Sequence, residues 1–313
     1  MGHRTGPHRV LGALVGLALL LAACAGDDPL GQEAPGAGPD TGADPGTITV
    51  GSADFPEALL LGNIAAGALE ARGFDVETQL NLGSREIYFP AMRNGEIDVL
   101  MEYAGALLSH LTGGTDSTDV DAIMEELRAE LEDEGIAVLD PSPAENRNAL
   151  VVTPETAEQY DLSTVSDLAP VGGELVLGGP PEYRTRRIGL PGLEEVYGIE
   201  FASFRDLDAG GVLTIAALEQ GDIDVGVLFT TQGVIDDKGW VVLEEDRPLI
   251  PAENIIPVVR QEAATDEVRA VLDEVAAALS TEDLVELNRR MEVDREDPEV
   301  VAEDWLTEQG FLE

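Results

Sequence analysis

Few side chains in this chain could carry out nucleophilic or metal chemistry. It contains three histidines, His3, His8 and His110, and a single cysteine, Cys24. A serine or cysteine nucleophile needs a histidine base, and His/Cys metal sites need three or four ligands. His3 and His8 lie in an N-terminal segment that we expect to be removed. We therefore predict no triad or Cys–His enzyme, no metal centre and no cofactor.

Acidic side chains are too numerous to mark a site by themselves. Asp and Glu number 62 against 18 Lys and Arg, which gives a formal net charge of -44. A carboxylate pair could cleave a glycosidic bond, so a hydrolase with such a pair stays open as an alternative, although no pair stands out. The negative charge repels phosphates, and we predict no nucleic acid partner. High-salt adaptation and a GC-rich genome both account for this composition.

Cys24 follows an N-terminal export segment. Arginines precede an apolar run over residues 10–23, and Leu-Ala-Ala leads directly into the cysteine. A positive start, a short apolar core and small residues before a cleavage site are typical of a secretory signal. The run is too short for the roughly 20 residues of a membrane-spanning helix. Because Leu-Ala-Ala-Cys also has the form of a lipobox, we predict a signal peptide over 1–23 and a lipid anchor at Cys24 on the outer face of the cell membrane.

The elements that follow alternate between strands and helices. Residues 24–47 contain no aromatic side chain and predict a flexible tether. Beyond it, strand patterns lie at 48–52, 74–82, 97–101, 149–153, 174–178, 201–204, 224–228 and 255–260, with helical patterns between them and from 265 to 310. Such alternation with short links predicts parallel sheets with crossover helices. Pro90 predicts that the second helix either kinks or begins only at about Tyr88.

One short motif occurs twice. The motif reads RNGEIDV over 93–99 and EQGDIDV over 219–225. In each copy the pattern predicts that a helix ends at glycine, an acidic residue follows, and I-D-V begins a strand. The two copies stand at equivalent places in successive α/β units. We therefore predict an α/β protein of two similar lobes with a cleft between them, with the C-terminal helices packed back on the first lobe. Trp240 and Trp305 are predicted to be packing residues.

Five segments of the chain resemble one known protein family. They read ITVGSADFPEALLLGNIAAGALEARGF, NLGSREIYFPAMRNGEIDVLMEYAGAL, DLSTVSDLAPV, GGPPEYRTRRIGLPGLEEVYGIEF and ALEQGDIDVGVLFTTQGVI. In this order they are similar to the glycine betaine, choline and carnitine substrate-binding proteins of ABC importers. The resemblance implies a type II periplasmic-binding-protein fold, in which two lobes close over a small solute and present it to a permease served by an ATPase. It also implies lobes over 48–145 plus 256–313 and over 146–255.

The resemblance carries over to a few site residues. In that family a cage of aromatic faces holds the quaternary ammonium group, which has no hydrogen to donate. Tyr103 in EYAG and Phe229 in LFTTQ match cage positions, and Arg186 in PPEYRTR matches the arginine that binds a ligand carboxylate. Asp54 is a further candidate for ligand binding.

Several positions depart from the family pattern. Ala53 and Ala106 stand where lysine and threonine are frequent, and Asn148 and Glu253 replace tyrosines. Arg85 follows Gly-Ser at a helix start, where backbone N–H groups favour an anion; a surface charge on the helix is the alternative.

Two interpretations of these departures are open. Either the protein binds a betaine-like solute with Tyr88 or Tyr183 completing the cage, or the pocket is rebuilt. In the second case Glu253, Asn148 and Gln232 would hydrogen-bond an amine or another polar solute. The alternative role for the two tyrosines is packing. A receptor that senses a solute without importing it is also open.

Overall fold

The computed structural model describes residues 46–115 and 117–312. The predicted signal peptide, the candidate lipid anchor Cys24 and nearly all of the predicted tether lie outside these residues. Within the described ranges, no helix has the length and apolar character that crossing a membrane requires.

Two five-stranded sheets organise the described residues. The first sheet has the order β2-β1-β3-β10-β4 and the second has the order β7-β6-β8-β5-β9. The strands are β1 (Ile48–Gly51), β2 (Val76–Gln79), β3 (Val99–Tyr103), β4 (Ile136–Val138), β5 (Asn148–Val152), β6 (Val176–Gly179), β7 (Ser203–Asp206), β8 (Val225–Phe229), β9 (Val241–Val242) and β10 (Ile255–Arg260). We call the part built on each sheet the first and the second lobe.

Helices cover both sheets. They are α1 (Pro56–Ala71), α2 (Arg85–Arg93), α3 (Ala104–Thr112), α4 (Val120–Glu132), α5 (Pro154–Tyr160), α6 (Leu190–Gly192), α7 (Val212–Glu219), α8 (Gly233–Lys238), α9 (Asp266–Ala278), α10 (Thr281–Glu292) and α11 (Pro298–Glu308). Single 3₁₀ turns lie at Val165–Leu168, Gly172–Glu174 and Pro181–Arg184, and a π-helical turn at Leu193–Tyr197 continues α6.

One strand in each sheet runs against the others. In the first sheet β10 is antiparallel to β3 and β4, and in the second β5 is antiparallel to β8 and β9. These two strands directly follow the segments that cross between the lobes, where Glu145 and Asn254 form an antiparallel bridge. The predicted α/β class with two mostly parallel sheets is confirmed, while the lobe boundaries at 145 and 255 remain a prediction.

The repeated motif has the same structure in both lobes. The carboxylate Oδ2 of Asp98 accepts the N–H of Thr49 at 3.0 Å, and Oδ2 of Asp224 accepts the N–H of Val176 at 2.8 Å. In each case the aspartate of I-D-V lies just before a strand, and this hydrogen bond links it to the neighbouring parallel strand. The glycines of the two motifs have φ of 81° and 70°, in the left-handed region that ends the preceding helix. This shared geometry is the physical basis of the repeat.

The C-terminal helices pack against the first lobe, as predicted. Trp305 of α11 is 2% exposed and shares an apolar core with Leu69 of α1 and Leu272 of α9. Trp240 packs against the core of the second lobe. Both tryptophans therefore have the predicted packing role.

Most predicted strands differ from the structure by at most two residues at each end, and two elements differ more. The strand predicted over 74–82 is confined to β2, and at its C-terminal side Asn81 adopts a left-handed φ of 61° that breaks extended backbone. Helix α2 begins at Arg85 and continues through Pro90, so of the two predicted alternatives the start at about Tyr88 was wrong. Pro90 has no N–H to donate to the carbonyl of Glu86, so the helix lacks one hydrogen bond in its first turn.

Candidate ligand-binding cleft between the lobes

A cavity lies between the two lobes, at the carboxyl ends of their strands. The space within it, including part of the solvent on its open side, is about 690 Å³. Tyr103 is the last residue of β3 and Phe229 is the last residue of β8, and both line the cavity. Since β3 and β8 are the strands opened by the repeated motif, the two lobes present an aromatic side chain from equivalent positions. Ligands of α/β sheets bind outside the carboxyl ends of strands.

A third aromatic ring joins these two. The ring centroid of Phe55 lies 5.9 Å from that of Tyr103 and 5.2 Å from that of Phe229. Sequence reasoning missed Phe55 as a site residue, although it named the adjacent Asp54. The signal was present, because a residue at the N-terminus of α1, just after the carboxyl end of β1, must face the cleft.

Tyr88 and Tyr183 are packing residues that also lie on the cavity wall, and their part in a ligand cage stays a prediction. Each is buried and each lines the cavity. The hydroxyl of Tyr88 donates to Oε1 of Glu102 at 2.8 Å, and the ring of Tyr183 stacks on Phe204 with centroids 6.3 Å apart. Burial raises the pKa of Tyr88 well above its usual value, so its hydroxyl stays a donor.

Arg85 is a buried member of an ion pair. Its side chain is 7% exposed, so the alternative of a surface charge was wrong. Nη2 lies 2.7 Å from Oε2 of Glu102, and Nε lies 3.1 and 3.2 Å from the two oxygens of that carboxylate. Arg85 lines the cavity, and its charge is paired with that of Glu102.

Arg186 already binds carboxylates across the cleft. Its Nη2 and Nε donate to Glu86 of the first lobe at 2.9 and 3.2 Å, and Glu182 lies 3.8 Å away. Burial acts to raise the pKa of Glu86, but hydrogen bonds from Arg186 and Ser84 outweigh it and bring the pKa to about 2. A ligand carboxylate would therefore have to displace Glu86 from Arg186.

Two residues on the cavity wall each have a buried side-chain oxygen without a hydrogen-bond partner among the described residues. The oxygens are Oε1 of Glu253 and Oδ1 of Asn146. Glu253 is 1% exposed, and its other oxygen accepts the N–H of Ala106 at 2.9 Å. Burial raises the pKa of Glu253 to about 8, against the opposing effects of the Ala106 bond and Arg85. One oxygen of this buried carboxyl therefore has no hydrogen-bond partner among the described residues.

We expect Glu253→Gln to stabilise the protein at pH 8 and to have little effect at pH 5. The folded-state pKa of about 8 lies above the ordinary 4.5, so the protonated side chain favours folding at low pH and this contribution is lost as pH rises towards 8. Glutamine never ionises and avoids that loss. Urea denaturation at both pH values measures the difference, with the exposed Glu70→Gln as control. Equal stability of wild type and Glu253→Gln at pH 8 would contradict the expectation.

Most of the residues predicted to bind a ligand lie on the wall of this cavity. They are Tyr103, Arg186, Phe229, Asn148, Glu253, Arg85 and Asp54. Gln232 does not line this cavity. Its amide is already hydrogen-bonded: Nε2 donates to Gly210 O and to Glu292 Oε1, both at 2.7 Å, and Oε1 accepts the N–H of Phe229 at 3.0 Å. It holds Phe229 in place. The described residues contain no group of three or more His, Cys, Asp or Glu placed to hold a metal ion.

Comparison with known proteins agrees with this architecture. Residues 46–308 match the model of the OpuAC family, the substrate binding domain of ABC-type glycine betaine transport systems. The chain belongs to this family. A glycine-betaine-binding protein of Pseudomonas aeruginosa is 31% identical over 280 residues, which span 85% of this chain and 89% of that protein. A carnitine transport binding protein of Listeria monocytogenes is 26% identical and covers 87% of this chain and 90% of its own.

A solved structure supports the same fold. The crystal structure of a glycine betaine/carnitine/choline ABC transporter aligns with a TM-score of 0.67 at 24% identity, over 85% of this chain and 100% of that one. The predicted two-lobed binding-protein fold is therefore confirmed. As an OpuAC domain, this chain is the substrate-binding component of an ABC importer, a class that works outside the cytoplasm with permease and ATPase subunits.

Proposed function

We propose that this OpuAC domain binds a small quaternary ammonium solute between its lobes. The observation that carries the proposal is the meeting of three aromatic rings, from Phe55, Tyr103 and Phe229, in the inter-lobe cavity. A methylated cation has no hydrogen to donate and is attracted to the negative faces of such rings. Closure of the lobes removes water, which strengthens this attraction before delivery to the permease.

The proposed cycle makes and breaks no covalent bond in the solute. Its partners are the solute, the permease and ATPase subunits of the importer, and the membrane, which the chain would contact through lipid at Cys24. The apolar and small residues that precede Cys24 in the sequence support that anchor.

Isothermal titration calorimetry tests the ligand class. The solutes are glycine betaine, choline, carnitine, proline betaine and ergothioneine, with 3,3-dimethyl-1-butanol as the uncharged carbon analogue of choline. We expect saturable binding of at least one cation and much weaker binding of the neutral analogue. If no charged solute saturates the protein, or if the neutral analogue binds as tightly as choline, the quaternary ammonium proposal fails.

We expect Phe229→Leu to weaken binding of the cationic solute about tenfold. Leucine keeps an apolar side chain but removes the ring, and one cation–π contact contributes about 0.5–2 kcal/mol. Phe229 is the last residue of β8, and its ring contacts that of Phe55. Its side chain has no polar group, so the substitution removes no side-chain hydrogen bond and its effect is local. Phe311→Leu, at a ring that stacks on Trp305 in the first-lobe core, is the matched control and should leave the affinity unaltered. An equal loss in both variants would count against a role for the Phe229 ring.

A further inference from the structure

The chain segment directly after Phe229 is hydrogen-bonded to the opposite lobe. The carbonyl of Thr231 accepts Nδ2 of Asn288 at 3.1 Å, and the N–H of Val234 donates to Oε2 of Glu292 at 3.2 Å. Asn288 and Glu292 lie on α10, whose apolar side chains belong to the first-lobe core. Val234 lies on α8 and belongs to the second-lobe core. These hydrogen bonds therefore cross from one lobe to the other.

The start of α8 and the surface of α10 approach each other closely. Gly233 is the first residue of α8, and a Cβ at this position would lie 2.5 Å from Cβ of Arg289 on α10. Two carbon atoms do not tolerate such a distance, so any larger residue would push the helices apart. Glycine therefore permits the contact through which the backbone of the second lobe reaches side chains of the first.

Gln232 links this contact to the ring of Phe229. Its Oε1 accepts the N–H of Phe229 at 3.0 Å, and its Nε2 donates to Oε1 of Glu292 and to the carbonyl of Gly210 at 2.7 Å each. Gly210 in turn backs the ring, because a Cβ there would lie 2.8 Å from a ring carbon of Phe229. One glutamine side chain thus connects Glu292 with both the backbone and the support of this ring.

Glu292 accepts these hydrogen bonds through both of its carboxylate oxygens. Burial raises the pKa of Glu292 to about 7, although the hydrogen bonds from Gln232 and Val234 oppose that rise. Of its charged neighbours, Glu57 of α1 also raises the pKa, and Arg295 after α10 lowers it. The ionised form therefore predominates at pH 8, where a charged acceptor makes stronger hydrogen bonds than a neutral one.

We propose that Glu292 is a positioning residue for the three aromatic rings of the cavity. From the first lobe it fixes Gln232, and through Gln232 it fixes the ring of Phe229, which the second lobe contributes. Phe55 and Tyr103 are carried by the first lobe, so this anchor holds all three rings in one frame. The inference rests on the proposed function and deepens it, because a cation binds best to ring faces that are already in place.

Calorimetry at pH 8 tests the role of Glu292. The probe is whichever of glycine betaine, choline, carnitine, proline betaine and ergothioneine binds the wild-type protein most tightly. We expect Glu292→Leu to weaken its binding at least fivefold, and Glu292→Gln, which keeps one acceptor oxygen, to weaken it less. Glu282→Leu, at an exposed residue of the same helix, is the control and should leave the affinity unaltered. Since burial favours a neutral side chain at position 292, Glu292→Gln should fold even if Glu292→Leu does not.

Two further variants separate positioning from a direct effect of charge. Gln232→Met removes the link without altering any charge, and it should weaken binding as much as Glu292→Leu does. In the Phe229→Leu background no ring remains to be positioned, so Glu292→Leu should cause no further loss of affinity there. A carboxylate that only attracted the cation, or only held the lobes together, would lower the affinity in that background as well.

The outcomes separate this inference from the proposed function. Unaltered affinity in Glu292→Gln and Glu292→Leu, unaltered affinity in Gln232→Met, or an equal loss with and without the Phe229 ring overturns the positioning role and leaves the proposed function standing. Failure of all five charged solutes to bind the wild-type protein overturns both.

Discussion

Replacing Glu57 with alanine should lower the free energy of unfolding by about 4 kcal/mol. Its carboxylate is 3% exposed and accepts four hydrogen bonds. The donors are Tyr103 Oη at 2.8 Å, Asn146 Nδ2 and Asn288 Nδ2 at 2.6 Å each, and Thr231 Oγ1. Removing the acceptor leaves buried donors unpaired, and each such group costs about 1–3 kcal/mol unless water replaces the lost partner. Urea denaturation at neutral pH measures the loss.

Glu70→Ala is the matched control for this experiment. Glu70 lies on the same helix, α1, but is exposed, so its removal should change stability by less than about 0.5 kcal/mol. Glu57→Gln should lower the free energy of unfolding by an intermediate amount. Glutamine keeps one acceptor oxygen, but its NH2 group would face the donors that bond to the other oxygen of Glu57. A loss below about 1 kcal/mol in Glu57→Ala would show that water replaces the carboxylate at little cost.

The position of Glu57 connects this prediction to the cleft. Its donors come from β3 of the first lobe, from a segment that crosses between lobes, from the loop after β8 of the second lobe, and from α10. The same carboxylate thus holds Tyr103 and Asn146, which both line the cavity. We therefore expect Glu57→Ala to weaken ligand binding as well as folding.

Replacing Arg85 with methionine should lower the free energy of unfolding by about 3–5 kcal/mol. Glu102 is 0% exposed and its cation is Arg85, so the substitution leaves a buried carboxylate unpaired. Methionine approximates the aliphatic part of the arginine, which separates loss of charge from loss of volume. Urea denaturation again provides the measurement.

The double variant Arg85→Met/Glu102→Leu is the decisive control. Replacing a buried ion pair with apolar side chains of similar volume is often neutral or stabilising, so the double variant should recover most of the loss. The hydroxyl of Tyr88 and the N–H of Tyr103 also bond to Glu102, and their loss sets the limit of that recovery. A double variant less stable than Arg85→Met alone would mean that these hydrogen bonds outweigh the unpaired charge.

The ion pairs also explain how the departures from the family pattern act together. Arg85 and Arg186 would attract a ligand carboxylate if they were free, but Glu102 and Glu86 neutralise them. The cavity therefore combines aromatic faces with arginines whose charges are already paired, so a ligand carboxylate would have to displace Glu102 or Glu86.

Sequence by itself determined the parts of this protein that depend on local pattern. Alternation of strands and helices predicted two α/β lobes, and the repeated I-D-V motif placed β3 and β8 at equivalent positions. Family motifs then named Tyr103 and Phe229 as cage residues, and the structure brings both to one cavity. These features follow from periodicity and short motifs, because neighbouring residues in the sequence define them.

Only the tertiary structure decided the partners of the buried polar groups. Arg186 and Glu86 are separated by 100 residues, and Glu57 and Asn288 by 231, so no local pattern links them. Burial and hydrogen bonding of a side chain depend on which distant elements meet around it. For that reason the sequence named Glu253 as a departure, while only the fold showed its carboxyl to be buried and to accept the N–H of Ala106.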